Sequence, residues 1–169
     1  MHDDLQKNII LIGMPGAGKS TIGVILAKWT CRDFVDTDVL IQLQEHRTLQ
    51  DIIDHQGYMA LRKIEEKLLS TLQLRNHVIA TGGSAAYSDA AMDHLKETGP
   101  VVFLDVSLDE LRRRISNYDN RGIAKRADQT FEELFAERLA LYRKHADIIL
   151  PSNALTAEEA AMRISEEID

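Results

Sequence analysis

The chain has 169 residues and a formal net charge of −7, with 44% hydrophobic and 28% charged residues. This length is enough to bury the core of one domain, so we expect a single domain over residues 1–169. The negative charge argues against nucleic acid or an anionic membrane as partner. With one cysteine, Cys31, no intrachain disulfide is possible, and no apolar stretch is long enough for a membrane helix. We expect a cytoplasmic monomer.

The first predicted elements form a phosphate-binding unit. Ile9 to Ile12 is an apolar run that predicts a buried strand, and Gly13 to Ser20 follows as a complete G-x-x-x-x-G-K-S motif. In such a loop backbone N–H groups face phosphate oxygens, Lys19 reaches the β- and γ-phosphates, and the Ser20 hydroxyl reaches Mg²⁺. The next run, Thr21 to Trp29, predicts a helix whose N-terminal dipole also attracts anions.

An acidic sequence closes the second predicted strand, Asp33 to Asp36. A phosphate loop places its nucleotide at the carboxyl ends of the strands, where Asp36 and Asp38 would also lie. Asp36 would then hold the Mg²⁺ shell, and Asp38 would accept a hydrogen bond or proton from a substrate hydroxyl. The alternative is that Thr37 or Asp38 serves only as the cap of the next helix.

Helical patterns and short apolar runs alternate through the rest of the chain. From Leu49 to Leu74 the apolar residues recur at helical spacing, with Gly57 as the expected break. Further strands are predicted at 77–81, 100–105 and 147–150, and further helices at 88–97, 107–116, 130–146 and 156–167. This order predicts a three-layer α/β/α fold, with helices on both faces of a five-stranded parallel sheet.

Three features between these elements are ambiguous by themselves. Gly82 and Gly83 follow the third strand, where glycines either let a backbone approach a ligand or turn the chain. Residues 117–128 are polar and include Arg121, which suits a lid over phosphates as well as a solvated loop. Arg62 and Arg138 lie within helical patterns and could be surface residues.

Taken together, these motifs resemble the shikimate kinase family, a group of small P-loop kinases similar to nucleoside monophosphate kinases. The resemblance rests on segments spread over nearly the whole chain: Gly13 to Thr21, Asp36-Thr37-Asp38, Gly57 with Arg62 and Glu65, 78–83 and 138–147. It implies an Mg²⁺-dependent kinase of aromatic amino-acid biosynthesis. Such an enzyme transfers the γ-phosphoryl of ATP to a hydroxyl of a small carboxylic acid, in this family shikimate.

The resemblance also implies a role for each site residue. Those at the nucleotide would be Gly13, Pro15, Gly16, Ala17, Gly18, Lys19, Ser20, Thr21 and Arg114, with residues 152–157 on the other side of adenine. Those at the acceptor would be Asp38, Arg62, Gly82, Gly83 and Arg138, with the two arginines clamping its carboxylate. Lys19, Asp38 and Arg121 would be catalytic, and Ser20 and Asp36 would hold Mg²⁺.

Several residues depart from the family pattern. Ser84 stands at the third glycine, Arg121-Gly122-Ile123-Ala124 at an arginine-proline-leucine-leucine run, Gly57-Tyr58 at a glycine-glutamate pair, and Ile53 and Leu61 at two phenylalanines. Most of these changes alter the acceptor pocket, where one methylene of misfit is worth about 1–3 kcal/mol of discrimination. Two alternatives therefore stay open: a relative that phosphorylates another hydroxy acid such as homoserine, and a nucleotide-binding protein without transfer activity.

Overall fold

A parallel five-stranded sheet organises the computed structural model, which describes residues 7–115 and 122–168. The strand order is β2-β3-β1-β4-β5, with every neighbouring pair parallel. The strands are β1 (Ile9–Ile12), β2 (Asp33–Asp36), β3 (His77–Ala80), β4 (Val101–Asp105) and β5 (Ile148–Pro151). All four residues of β1 are buried although successive side chains face opposite ways, so both faces of the sheet are covered.

Helices connect and cover the strands within the described ranges. They are α1 (Lys19–Trp29), α2 (Thr37–Glu45), α3 (Leu49–Gln56), α4 (Tyr58–Thr71), α5 (Asp89–Thr98), α6 (Leu108–Arg114), α7 (Phe131–His145) and α8 (Ala157–Ile168), with a short 3₁₀ helix at Ala85–Tyr87. The predicted α/β fold with a five-stranded parallel sheet is confirmed. In these parts of the chain no helix combines the length and the apolarity that crossing a bilayer requires.

Local chemistry sets the boundaries near the site. Gly57 has φ +87°, a left-handed value that suits glycine, and it separates α3 from α4 as predicted. At the start of α2 the cap is Asp36, whose Oδ1 accepts hydrogen bonds from the backbone N–H groups of Asp38 and Val39. The alternative in which Thr37 or Asp38 caps this helix is therefore wrong, because the extended residue before the first helical turn is Asp36, the last residue of β2.

A second, smaller apolar cluster lies apart from the main core around the sheet. It consists of Ile41, Leu49, Ile52, Leu61 and Ala124. These residues come from α2, α3, α4 and the segment after residue 121, so the cluster packs that segment against the helices. Residues 117–121 of the predicted lid, including Arg121, lie outside the described residues.

Candidate active site

The phosphate loop lies between the end of β1 and the start of α1. Gly16 and Gly18 have φ values of +85° and +95°, which explains why glycine occupies both positions. Lys19 is buried, and its Nζ donates hydrogen bonds to the carbonyl oxygens of Gly13 at 2.7 Å and Met14 at 2.9 Å. Burial lowers the pKa of the Lys19 ammonium to about 8, partly offset by the nearby Asp38 charge.

Ser20 and Asp36 form an oxygen pair beside this loop. The Ser20 hydroxyl donates a hydrogen bond to Oδ2 of Asp36 at 2.5 Å, while Oδ1 of the same carboxylate caps α2. Hydroxyl and carboxylate oxygens are the hard ligands that Mg²⁺ prefers, and Mg²⁺ takes few protein ligands when phosphates supply the others. This donor set fits the predicted metal.

One cavity of about 530 Å³ connects the phosphate loop with the predicted acceptor residues. Lys19, Asp38, Glu65 and Arg138 all line it, together with Gly83 and Arg114 at other points of its wall. Groups that attract phosphates and groups that attract a small organic acid therefore share one space, at the carboxyl edge of the sheet.

Asp38 lies in the first turn of α2, is half-buried and lines this cavity. Burial raises the pKa of its carboxyl to about 6, and the negative charge of Asp36 adds to the increase. Lys19 and Arg138 act in the opposite direction, because both cations favour the ionised carboxylate. A carboxylate with a pKa near neutrality is suited to accepting a proton from a hydroxyl group.

Arg62 and Arg138 converge on the same backbone carbonyl. Arg138 is only 1% exposed, and its Nη2 donates a hydrogen bond to the Ala124 oxygen at 2.9 Å. Nη2 of Arg62 donates to that oxygen at 3.2 Å, and its guanidinium lies 3.7 Å from the centre of the Tyr87 ring. Nε of both arginines is buried and has no hydrogen-bond partner among the described residues. Arg62 does not itself line the cavity.

The two glycines after β3 are packed against these charged groups. A side-chain carbon at Gly83 would lie 2.6 Å from Nη1 of Arg138, and one at Gly82 would lie 2.6 Å from Oδ1 of Asp38. The backbone of Gly82 is held by a hydrogen bond from its N–H to the Thr37 hydroxyl at 3.1 Å. Close approach, rather than a positive φ, is therefore the reason for glycine here.

Arg114, the predicted adenine neighbour, contacts the phosphate loop, since its Nη1 donates a hydrogen bond to the Ala17 carbonyl oxygen at 3.5 Å. Its Nε donates to Oε1 of Glu110 at 2.9 Å, and its side chain lines both the main cavity and a smaller one of about 260 Å³. Ser152, Leu155 and Ala157 line the smaller cavity as well. The structure thus brings Arg114 and the predicted 152–157 segment together.

Three residues that contribute to the site received no role from the sequence. Glu65 is a buried carboxyl in the cavity, Ser84 donates a hydrogen bond to it, and Tyr87 stacks on Arg62. Only Glu65 offered a usable signal, because it lies three residues after Arg62 and so on the same face of α4. The partners of Ser84 and Tyr87 are distant in sequence.

The departures from the family pattern have different consequences. Leu61 lines the cavity, whereas Ile53 packs on the second apolar cluster and does not line it. Gly122 has φ +66° and donates its N–H to Oε1 of Gln50 at 3.2 Å. Proline, the family's residue at that position, could adopt neither the angle nor the hydrogen bond.

The sheet order, the phosphate loop and the cavity identify an α/β P-loop kinase. The family model for shikimate kinase matches residues 15–169, and the chain belongs to the shikimate kinase family. A curated shikimate kinase from Francisella tularensis subsp. holarctica is 36% identical over 163 residues, 94% of this chain and 93% of that protein. The chain is an ATP-dependent kinase, and the family resemblance seen in its sequence is confirmed.

Two solved structures share the fold over nearly their full length. A shikimate kinase from Acinetobacter baumannii, solved in complex with shikimate, aligns with a TM-score of 0.87 and 29% identity, covering 98% of this chain and 94% of that one. A shikimate kinase from Aquifex aeolicus aligns with a TM-score of 0.80 and 30% identity, covering 95% of each chain.

Proposed function

We propose that this protein phosphorylates shikimate with ATP as donor. The observation that carries the proposal is the single cavity in which Lys19 of the phosphate loop, Asp38 and Arg138 meet. A protein that only bound nucleotides would have no need of a buried guanidinium there. The relative from Acinetobacter baumannii binds shikimate, which supports the same acceptor for this chain.

On the donor side, the N–H groups of the phosphate loop and the Lys19 ammonium hold the β- and γ-phosphates of ATP. Ser20 and Asp36, whose oxygens lie together beside the loop, would hold Mg²⁺. When bound, the ion neutralises charge on the phosphate oxygens during transfer. Arg114 packs against the adenine, opposite the wall formed by Ser152, Leu155 and Ala157.

On the acceptor side, Arg138 and Arg62 take the carboxylate of shikimate in place of the Ala124 oxygen that they share. The exchange is favourable because hydrogen bonds from guanidinium to a carboxylate are stronger than those to a neutral carbonyl. The backbone of Gly82 and Gly83 contacts the same molecule. This binding places one hydroxyl between Asp38 and the γ-phosphorus.

Transfer proceeds in line through a loose transition state, in which positioning and charge stabilisation supply most of the catalysis. Asp38 accepts the proton of the attacking hydroxyl, and Lys19 stabilises charge on the transferring phosphoryl. Arg121 is proposed as a second cation at that phosphoryl on the strength of the family resemblance. The net charge of −7 argues against a nucleic-acid partner and favours a monomer.

The experiment is a coupled assay of ADP release with shikimate, homoserine and other small hydroxy acids as acceptors, followed by identification of the phosphorylated product. We expect saturable turnover with shikimate and its loss in Asp38→Asn with ATP binding retained. Efficient turnover of another hydroxy acid but not of shikimate would contradict the proposed acceptor. ATP binding with no phosphorylated product from any acceptor would contradict the proposed activity.

A further inference from the structure

Ser84 places a hydroxyl group inside the acceptor end of the cavity. It is 8% exposed, lines the cavity and comes directly after Gly82 and Gly83. Its φ is −98°, so the backbone does not require glycine at this position. The hydroxyl donates a hydrogen bond to Oε2 of Glu65.

Glu65 is the second carboxyl group of this region. It is 3% exposed and enters the cavity from α4, while Asp38 enters from α2. Both carboxyls pack against Gly82, where a side-chain carbon would lie 2.6 Å from Oδ1 of Asp38 and closer still to Oε1 of Glu65.

The two oxygens of Glu65 differ in their surroundings. Oε2 is held by Ser84, whereas Oε1 is buried and has no hydrogen-bond partner within residues 7–115 and 122–168. A buried acceptor without a partner is unfavourable, so a donor supplied by a ligand would bind there favourably. Burial raises the pKa of Glu65 to about 7 and the Asp38 charge adds to this, while the Ser84 hydrogen bond, Arg138 and Lys19 favour the ionised form.

We infer that Ser84 is a positioning residue, which holds the Glu65 carboxyl so that Oε1 accepts a hydrogen bond from a second hydroxyl of the acceptor. The inference rests on the proposed function and narrows it to acceptors with at least two hydroxyl groups. One hydroxyl meets Asp38 and is phosphorylated; another meets Glu65 and aligns the ring. An acid with a single hydroxyl, such as homoserine, would leave Oε1 unpaired and be a poor substrate.

The test compares wild type with Ser84→Ala, Glu65→Gln and the double variant in steady-state kinetics with shikimate. Ser84→Ala should raise KM for shikimate about five- to tenfold, because the Glu65 carboxyl loses the hydrogen bond that holds it, with KM for ATP unchanged. Since Ser84 acts through Glu65, the double variant should resemble Glu65→Gln alone. Ser88→Ala is the matched control: it also removes a buried serine hydroxyl, but one that caps α5.

A second readout uses analogues of shikimate that each lack one of the two hydroxyls that do not react. Wild type should discriminate against one analogue about tenfold, and Ser84→Ala and Glu65→Gln should lose most of that discrimination. The inference, but not the proposed function, would be overturned if wild type turned over shikimate normally and Ser84→Ala left both KM for shikimate and the discrimination between analogues unchanged. Equal effects of Ser84→Ala on KM for ATP and KM for shikimate would also overturn it. So would a double variant in which the effects of the two single substitutions add. Absence of wild-type turnover with shikimate would overturn the proposed function and the inference with it.

Discussion

Arg62 and Arg138 reach the same oxygen, the Ala124 carbonyl, from two different helices. Arg62 comes from α4 and is packed on aromatic rings, whereas Arg138 comes from α7 and is almost completely buried. Two cations therefore share a neutral acceptor next to the cavity, an arrangement that a carboxylate ligand would improve.

The first prediction concerns this arginine pair. Arg138→Ala should raise KM for shikimate at least about tenfold, since a hydrogen bond to a charged group is worth about 1.5–3 kcal/mol, while KM for ATP changes little. Arg138→Lys keeps the charge but loses the fork, so it should show a smaller increase. Arg143→Ala, an exposed site on the same helix, is the control. A larger effect on ATP than on shikimate would contradict the acceptor role.

The second prediction separates two neighbouring arginines on α6. Arg113 and Arg114 both bind the Glu110 carboxylate and hold its pKa at about 2, but only Arg114 lines the cavities. Arg114→Ala should raise KM for ATP about three- to tenfold through lost stacking on the adenine, and Arg113→Ala should leave it unchanged. Equal effects of the two substitutions on KM for ATP would show that the ion pairs with Glu110, rather than contact with adenine, determine that constant.

The third prediction concerns the phosphate-loop lysine. Lys19→Ala should lower kcat at least about 100-fold, because a cation directed at the transferring phosphoryl is lost. The fold should persist, since within the described part of the chain the Lys19 ammonium donates hydrogen bonds to two carbonyl groups of its own loop and to no other element. Circular dichroism and thermal unfolding check this, with the exposed Lys28→Ala on the same helix as control. A kcat within a factor of about three of wild type would refute the assignment.

The fourth prediction concerns the pH dependence of stability. The pKa of Glu65 in the folded chain is about 7, above its ordinary value of 4.5, so between these pH values the folded protein binds more protons than the unfolded chain. The free energy of unfolding of the protein therefore decreases as pH rises through this window, because the stabilising contribution of protonated Glu65 is lost. Glu65→Gln cannot titrate and should lose less stability than wild type.

Urea unfolding at about pH 5 and about pH 8 measures this difference. Glu66→Gln is the control, because the neighbouring side chain is exposed. An identical loss of stability in wild type and Glu65→Gln would mean that the carboxyl is ionised throughout this range.

Local sequence signals were sufficient for the sheet and the phosphate loop. The strands are short apolar runs, and Gly57 ends a helix by the chemistry of its own backbone, so both could be predicted from neighbouring residues. The start of α2 could not, because Asp36 is at once the last strand residue and the helix cap. Its double role became visible only with the backbone angles.

The acceptor end of the site depends on contacts between residues far apart in sequence. Ser84 and Glu65 are 19 positions apart, and Arg62 is 62 positions from the carbonyl that it binds. No periodicity or spacing rule links such pairs. The family resemblance supplied Arg62 and Arg138, but it gave no role to Ser84, which is a departure from the family.

The two-sided carboxylate of Asp36 joins the halves of the reaction centre. One oxygen fixes the first turn of α2, where Asp38 sits, and the other contacts Ser20 at the start of α1. A single side chain thus fixes the phosphate-donor site relative to the acceptor site, and it lies only two residues before Asp38, the proposed proton acceptor. A substitution that shortens or neutralises Asp36 would therefore disturb both the position of Asp38 and the proposed metal site. Its effect on activity would combine a change of geometry with a change of charge.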